Sequence, residues 1–325
     1  MTIIKANDPL IRYTGRWSVD ENCALATANG SYFEFAFRGD TAMLGFDMTG
    51  CVEAYPRLFI IVDGGARIET PTDHFIRISA EEGVHHVQVI LKSSSERQER
   101  WHEPLQSRVR FTDVEAEGFE MLPPDNRPVI AFVGDSITEG ISIDWNKRYM
   151  PYGVAASDMV YWGDSTAGYA WLTAKALDMR IVNMGYGCLG ATKGGAGGVP
   201  WAADAYPYVC EGRPIPEIDA DVVVINIGTN DYAADNDTFC AEYERLLGVI
   251  RAHNPRAKLV AMKPFYGTHA SEIPVAAEAY CNKTGDTVEC VDTEGWIPHE
   301  PMHPTREGNK IAAGKLAAFI RDNIL

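Results

Sequence analysis

The spacing of apolar residues changes once along the chain, near residue 120, and nothing else in the sequence limits its fold so strongly. Up to that point apolar side chains recur at every second position: Tyr32, Phe33, Phe35 and Phe37, then Leu58, Ile60 and Val62, then Val87, Val89 and Leu91, then Val109 and Phe111. A period of two is what a strand with one buried face requires. Asn29-Gly30, Arg38-Gly39-Asp40, Asp63-Gly64-Gly65 and Glu82-Gly83 supply turns between the runs. The spacing therefore predicts an all-β, antiparallel sandwich of jelly-roll type.

Beyond residue 120 short apolar runs alternate with helical stretches, the mark of βαβ units around a parallel sheet. Five strands are expected, at Val129 to Val133, Arg180 to Met184, Asp221 to Ile227, Lys258 to Met262 and Thr287 to Val291. Phe239, Tyr243, Leu246, Leu247 and Ile250 form an apolar stripe at helical spacing, with Asp237 placed to cap its start, and Leu316, Phe319 and Ile320 mark a last helix. This half reads as a doubly wound α/β domain with helices on both faces, where ligands bind beyond the carboxyl ends of the strands. Gly118 to Pro128, with three prolines, reads as the linker, which divides the chain into residues 1–122 and 123–325.

Two cores need apolar material, and 46% hydrophobic residues in a 325-residue chain supply it. Lys and Arg number 29 against 45 Asp and Glu, a net charge of −16 that repels phosphate backbones and anionic lipid, so neither nucleic acid nor a membrane is an expected partner. No run approaches the roughly 18 consecutive apolar residues of a spanning helix. The start, Met1-Thr2-Ile3-Ile4-Lys5, lacks the apolar stretch of a signal peptide, and a cytoplasmic location is the expectation. Seven cysteines without a CxxC pair signal neither a disulfide framework nor a Cys-type zinc site. The sequence carries no signal of oligomeric state.

Val129 to Val133 followed by Gly134-Asp135-Ser136-Ile137-Thr138 is a buried strand presenting a serine at its carboxyl end, where a nucleophile belongs; a plain helix cap is the competing reading. A second Gly-Asp-Ser, at Gly163 to Ser165, has no buried strand before it, so Ser165 reads as a cap or loop residue. Three more segments sit at strand ends or beside the final helix: Asn183-Met184-Gly185-Tyr186-Gly187-Cys188, Gly228-Thr229-Asn230-Asp231 and His303-Pro304-Thr305-Arg306-Glu307-Gly308. A serine hydroxyl needs an adjacent base to attack at neutral pH, and fixed N–H donors stabilise the alkoxide that acyl transfer develops. The four segments offer a serine, a histidine and donors of both kinds.

In order, these segments resemble the sequence blocks of the SGNH (GDSL-type) hydrolases, over about residues 128 to 325. The resemblance implies that Ser136 is the nucleophile, His303 the base, Asn230 a side-chain oxyanion donor, and Ser136 with Gly187 or Cys188 the backbone donors. Two departures stand out. The acid found three residues before the histidine is here Glu300 instead of Asp, so either Glu300 orients the imidazole or a backbone carbonyl does and the site is a Ser–His dyad; Cys188 stands where many members have glycine. His299-Glu300-Pro301-Met302-His303 spells a zinc-protease motif, but that motif works only on a helix, and Pro298, Pro301 and Pro304 exclude one, so no metal is expected.

Tyr13-Thr14-Gly15-Arg16-Trp17, Gly30 to Gly39 and Ile61-Val62-Asp63-Gly64 resemble the N-terminal jelly roll of carbohydrate esterase family two, which joins that module to an SGNH domain and deacetylates sugars. The two resemblances imply a carbohydrate O-acetylesterase acting on a small acetylated saccharide without metal or organic cofactor. Trp145, Trp201 and Trp296, with Tyr186, become candidates for contact with the sugar. An esterase or thioesterase for other acyl chains, and a sugar-binding protein on an inactive hydrolase scaffold, are the alternatives.

Overall fold

The computed structural model describes residues 1–144, 156–216, 218–266 and 269–325. Its first half is an antiparallel sheet of β1 (Thr2–Lys5), β2 (Arg12–Thr14), β3 (Ser18–Val19), β4 (Ala24–Ala26), β5 (Tyr32–Phe46), β6 (Arg57–Val62), β7 (Ile68–Pro71), β8 (Phe75–Ser93) and β9 (Val109–Glu120). The main path runs β3-β4-β9-β5-β8-β6-β7, with β1 on β9 and β2 on β5. Alternation puts Phe33, Phe35 and Phe37 of β5 with Val87, Val89 and Leu91 of β8 and Val109 and Phe111 of β9 in one buried cluster. Phe33 and Phe111 stack with their ring centroids 4.3 Å apart. Such long strands must bend to wrap a core, and β5 shifts register against both neighbours between Arg38 and Ala42, where Gly39 holds a φ of +110°. Strand β9 runs on to Glu120, so Gly118 to Glu120 belong to the sheet and not to the expected linker.

The second half carries the parallel sheet β11-β10-β14-β15-β16, formed by β10 (Val129–Gly134), β11 (Arg180–Gly185), β14 (Val222–Asn226), β15 (Lys258–Met262) and β16 (Val288–Val291), with a small hairpin of β12 (Tyr208–Cys210) and β13 (Arg213–Pro214) beside it. Between the strands come α1 (Ser136–Glu139), α2 (Ala156–Trp162), α3 (Tyr169–Ala176), α4 (Ala202–Ala205), α5 (Asn236–His253) and α6 (Glu272–Thr284), and α7 (Arg306–Asn323) follows β16. In β10, Val129, Ala131 and Val133 face a core built with α5 and α6, while Ile130 and Phe132 face one built with α3 and α7. Burial on both faces explains the unbroken apolar run of this strand. Asp235, not Asp237, caps α5: its carboxylate accepts the Thr238 N–H at 2.8 Å, and Asp237 lies in the first turn. Among the described residues no helix is long and apolar enough to cross a membrane.

The halves share their cores. Tyr32, Phe59 and Ile90 from the first half join the cluster under α3 and α7, and Ala28 and Trp101 join the other. Arg16 is buried at the junction, its Nη2 donating to the carbonyls of Tyr206 at 2.8 Å and Tyr208 at 2.6 Å. Within the parallel sheet the chain leaves β10 for β11 on one side and returns to β14 on the other. The crevice beyond the carboxyl ends of β10 and β14 is therefore the switch point where such sheets hold ligands.

Gly185 ends β11 hard against α1: a Cβ there would lie 2.3 Å from the Glu139 nitrogen and 2.6 Å from its Cα. Gly185→Ala must displace α1 and is expected to destabilise the fold by about 1–3 kcal/mol, as overpacking does. Gly314, inside α7 with open space around it, should gain about 0.5–1 kcal/mol as Gly314→Ala. Urea unfolding of both variants beside the parent checks the pair, and an unchanged Gly185→Ala midpoint would contradict the packing argument.

Candidate active site

Strand β10 ends at Gly134, where a Cβ would come 2.0 Å from Thr138 Oγ1 and 3.1 Å from the Asn226 carbonyl oxygen. The turn into α1 therefore closes only on glycine. Asp135 caps α1 by accepting the Ile137 N–H at 2.9 Å, which leaves Ser136 as the first helical residue. His303 arrives from the bends between β16 and α7. The Pro304 carbonyl accepts from Asn309 Nδ2 at 2.8 Å, Asn309 Oδ1 accepts the Tyr169 N–H at 2.8 Å, and Thr305 caps α7, so the segment after the histidine is tied to two helices. His303 Nε2 lies 2.9 Å from Ser136 Oγ, within reach for proton transfer. Burial pushes the imidazole below its ordinary pKa, because desolvation disfavours the cation. Ser165, by contrast, sits buried in a 3₁₀ turn capped by Asp164.

The loop after β11 sorts its backbone donors by elimination. Tyr186 N–H donates to the Gly134 carbonyl, Gly187 N–H to Glu139 Oε2 at 2.6 Å, Leu189 N–H to the Tyr186 carbonyl and Gly190 N–H to that of Lys193. Ala191 and Thr192 N–H both donate to the Asp231 carboxylate. Among the described residues Cys188 N–H alone in this stretch has no hydrogen-bond partner. Asn230 Nδ2 reaches the Leu189 carbonyl at 3.0 Å and Asp135 Oδ2 at 3.3 Å, tying this loop to the cap beside Ser136. Asp135 is pushed up to about 6, first by burial and further by the Asp231 charge.

Two expectations are corrected here. Gly187 N–H is occupied by Glu139 and so is not free to act as an oxyanion donor, whereas the Cys188 N–H is open. Tyr186 is buried, with its hydroxyl 2.9 Å from Thr27 Oγ1 and its ring under the Arg100 guanidinium, so it joins the two halves and touches no sugar. Trp145 lies outside the described residues. Trp201 is partly exposed and lines, with Lys193, Asn230 and the exposed Tyr232, a depression of about 390 Å³. Trp296 is half-buried against the core beside α7, with Lys315 over its ring. Glu300 is exposed, and burial lowers the His303 pKa. Residues 299–303 form bends and not a helix, so the two histidines of the zinc-like motif are not held as that motif requires.

Sequence reasoning passed over Glu139 and Arg100. Glu139 is fully buried; its Oε1 accepts from Arg100 Nη1 and, at 3.0 Å, from Asn29 Nδ2, while its Oε2 holds Gly187. Arg100 belongs to the charge-rich run Glu96-Arg97-Gln98-Glu99-Arg100, which by pattern is a solvated face. Only the fold brings it to α1.

A serine on the end of the central parallel strand, its imidazole partner and N–H donors of two kinds are the parts of a serine ester hydrolase. The model of the GDSL-like lipase/acylhydrolase family matches residues 132–311, more than half of the chain, and the chain belongs to that family. It is 26% identical to the cellulase/esterase CelE of Acetivibrio thermocellus over 349 residues, which takes in 98% of this chain and 40% of CelE. The chain thus spans well under half the length of that relative. It is 25% identical over 288 residues to the acetylxylan esterase/glucomannan deacetylase of Cellvibrio japonicus, covering 79% of this chain and 72% of the relative. A solved family two carbohydrate esterase from Cellvibrio japonicus superposes with a TM-score of 0.82 at 19% identity, over 99% of this chain and 97% of that one. The jelly roll and the α/β half therefore occur together in a known fold.

Because burial lowers the His303 pKa, the neutral, proton-accepting form persists below the ordinary value of about 6.5 and is lost only as pH falls through the depressed one. Labelling of Ser136 by a fluorophosphonate should thus hold its rate through about pH 6.5 and decline at lower pH. By linkage the unfolded chain binds this proton more readily, so stability also falls as pH drops below about 6.5. A labelling midpoint above about 6.5 would mean that a carboxylate, not burial, governs the imidazole.

Proposed function

We propose that this chain removes O-acetyl groups from a small saccharide through a covalent acyl-enzyme. The observation that carries the reading is the 2.9 Å contact between Ser136 Oγ and His303 Nε2, with the Cys188 N–H left open in the loop after β11. Ser136 Oγ attacks the acetyl carbonyl as its proton passes to His303 Nε2. The alkoxide that forms is held by Cys188 N–H, Ser136 N–H and Asn230 Nδ2, which turns to it from its long 3.3 Å contact with Asp135, each donor worth roughly 10² to 10³ in rate. Collapse expels the sugar oxygen, which takes the proton back from His303 and leaves the acetyl group on Ser136. Water, deprotonated by the same imidazole, then releases acetate.

The saccharide part rests on the names of the relatives, a cellulase/esterase and an acetylxylan esterase/glucomannan deacetylase. It is supported by Trp201 and Tyr232, aromatic faces in the depression shared with Asn230, which suit the apolar side of a sugar ring. Lys193 lies over the Tyr232 ring at 5.1 Å and adds a hydrogen-bond donor there.

Rates on 4-nitrophenyl acetate, butyrate and octanoate, and acetate release from acetylated xylo-oligosaccharides, test the reading. Acetate should be the best acyl group; a preference for octanoate would move the function to longer chains. Ser136→Ala should abolish turnover while keeping the fold, and Ser165→Ala should remain active. Glu300→Gln should cost less than about tenfold in kcat, since Glu300 is exposed and the field of a solvated carboxylate is screened by water. A loss above about a thousandfold would make Glu300 the third member of a triad.

A further inference from the structure

The backbone donor at Cys188 depends on its neighbour. The Gly187 N–H is fixed by the Glu139 carboxylate, and Cys188 then turns into the left-handed region at φ +62°. That turn sets the direction of the one N–H left open between Tyr186 and Thr192. Glu139 lies three residues after Ser136 on the same short helix, so a single side chain fixes the spacing between nucleophile and loop.

A buried carboxylate holds its charge only with a partner. Burial pushes the Glu139 carboxyl up, and the guanidinium of Arg100 opposes that shift. Arg100 is itself fully buried, and both it and Asn29, the other donor on Oε1, come from the first half. Ser94, from the same half, accepts from Arg100 Nη1 at 3.2 Å and donates to Asn29 Oδ1 at 2.8 Å, closing the ring. A second carboxyl, that of Glu96, lies so close to the Gly187 Cα that a Cβ there would meet its Oε2 at 1.9 Å. Burial and the nearby Glu139 push the Glu96 carboxyl up as well, so the pocket works against any further negative charge.

We infer that Glu139, held in place by Arg100 and Asn29 of the jelly roll, is the positioning residue for the oxyanion loop, and that the first half therefore supports the catalytic machinery of the hydrolase. This rests on the acyl-transfer reading above. The jelly roll acts by fixing the side chain that accepts the Gly187 N–H, not by holding substrate.

Two double variants separate positioning from stability. Arg100→Met with Glu139→Gln removes the ion pair but keeps an acceptor for the Gly187 N–H; Arg100→Met with Glu139→Met removes both. Replacing a buried pair by apolar side chains is often tolerated, so both are expected to fold. With 4-nitrophenyl acetate, and kcat counted per titrated Ser136, the Gln pair should stay within about tenfold of the parent. The Met pair should lose roughly a hundredfold in kcat at unchanged KM, as expected for a misdirected oxyanion donor. Phosphonylation of Ser136, which passes through a similar oxyanion, should slow in parallel. Equal kcat and equal labelling in the two pairs would overturn the inference and leave the ion pair a structural clamp. Should the Met pair fail to fold, Asn29→Leu, which takes one donor from Glu139, should lower kcat several-fold at unchanged KM, and no change would count against the inference. A parent that is phosphonylated at Ser136 but hydrolyses no acetyl ester would refute the substrate reading alone, because the labelling rates still report on the loop.

Discussion

Burying a guanidinium against a carboxylate is costly, since each ion loses water and only the partner with further hydrogen bonds offsets the loss. The Arg100–Glu139 pair sits wholly inside the molecule, and the carboxylate accepts three hydrogen bonds, from Arg100, Asn29 and the Gly187 N–H. The pair cannot form unless the jelly roll docks in one position on the parallel sheet. Arg16 repeats the pattern a short way off, with its guanidinium buried and its Nη2 on the backbone of the segment before and within β12. Between the two cations lies Tyr186, under Arg100 and bonded to Thr27. The interface thus depends on buried polar contacts as well as apolar ones, and removing Arg100 alone would leave Glu139 a buried carboxylate without its cation, a stricter condition than apolar contact.

The parallel sheet supplies the other constraint. Because β10 is flanked by β11 and β14, its carboxyl end is where the chain's path reverses, and the residues after all three strands converge. Ser136 follows β10, the Cys188 loop follows β11 and Asn230 follows β14. Small residues make that convergence possible: Gly134 and Gly185 both stand where a Cβ would strike the α1 segment. His303 comes from further away, and its loop is held by Asn309 of α7, whose side chain bridges the Pro304 carbonyl and the start of α3.

What was legible in the sequence is what is local. Strand periods, the parallel-sheet pattern and the four motif segments each lie within a few residues, and the apolar run of β10 reports burial on both faces directly. The cap of α5 was misplaced by two residues because Asp235 and Asp237 are both good caps, and only the reach to the Thr238 N–H separates them. Tyr186 and Gly187 were misjudged for a deeper reason. In the sequence an aromatic and a glycine in a loop beside a motif read as contact and donor; in the fold both are committed to residues 48 or more positions away. Arg100 and Glu139 are 39 residues apart, on different halves, and no periodicity links them.

Cys188 brings these levels together. A non-glycine residue at positive φ costs of the order of 1 kcal/mol, and such strain persists only where its surroundings determine it. Here they do: Gly187 before it is held by Glu139, and Leu189, Gly190, Ala191 and Thr192 after it are held by backbone and by Asp231. With both flanks fixed, the strained residue has no route to relax, and its N–H stays open. A backbone donor is indifferent to the side chain it belongs to, so cysteine can occupy a position that favours glycine as long as the flanking bonds hold. The bond on the amino-terminal side is made by Glu139, which Arg100 and Asn29 of the jelly roll hold in place. The strained turn at the nucleophile and the docking of a domain with its own core are thereby one structural problem, solved by the same buried pair.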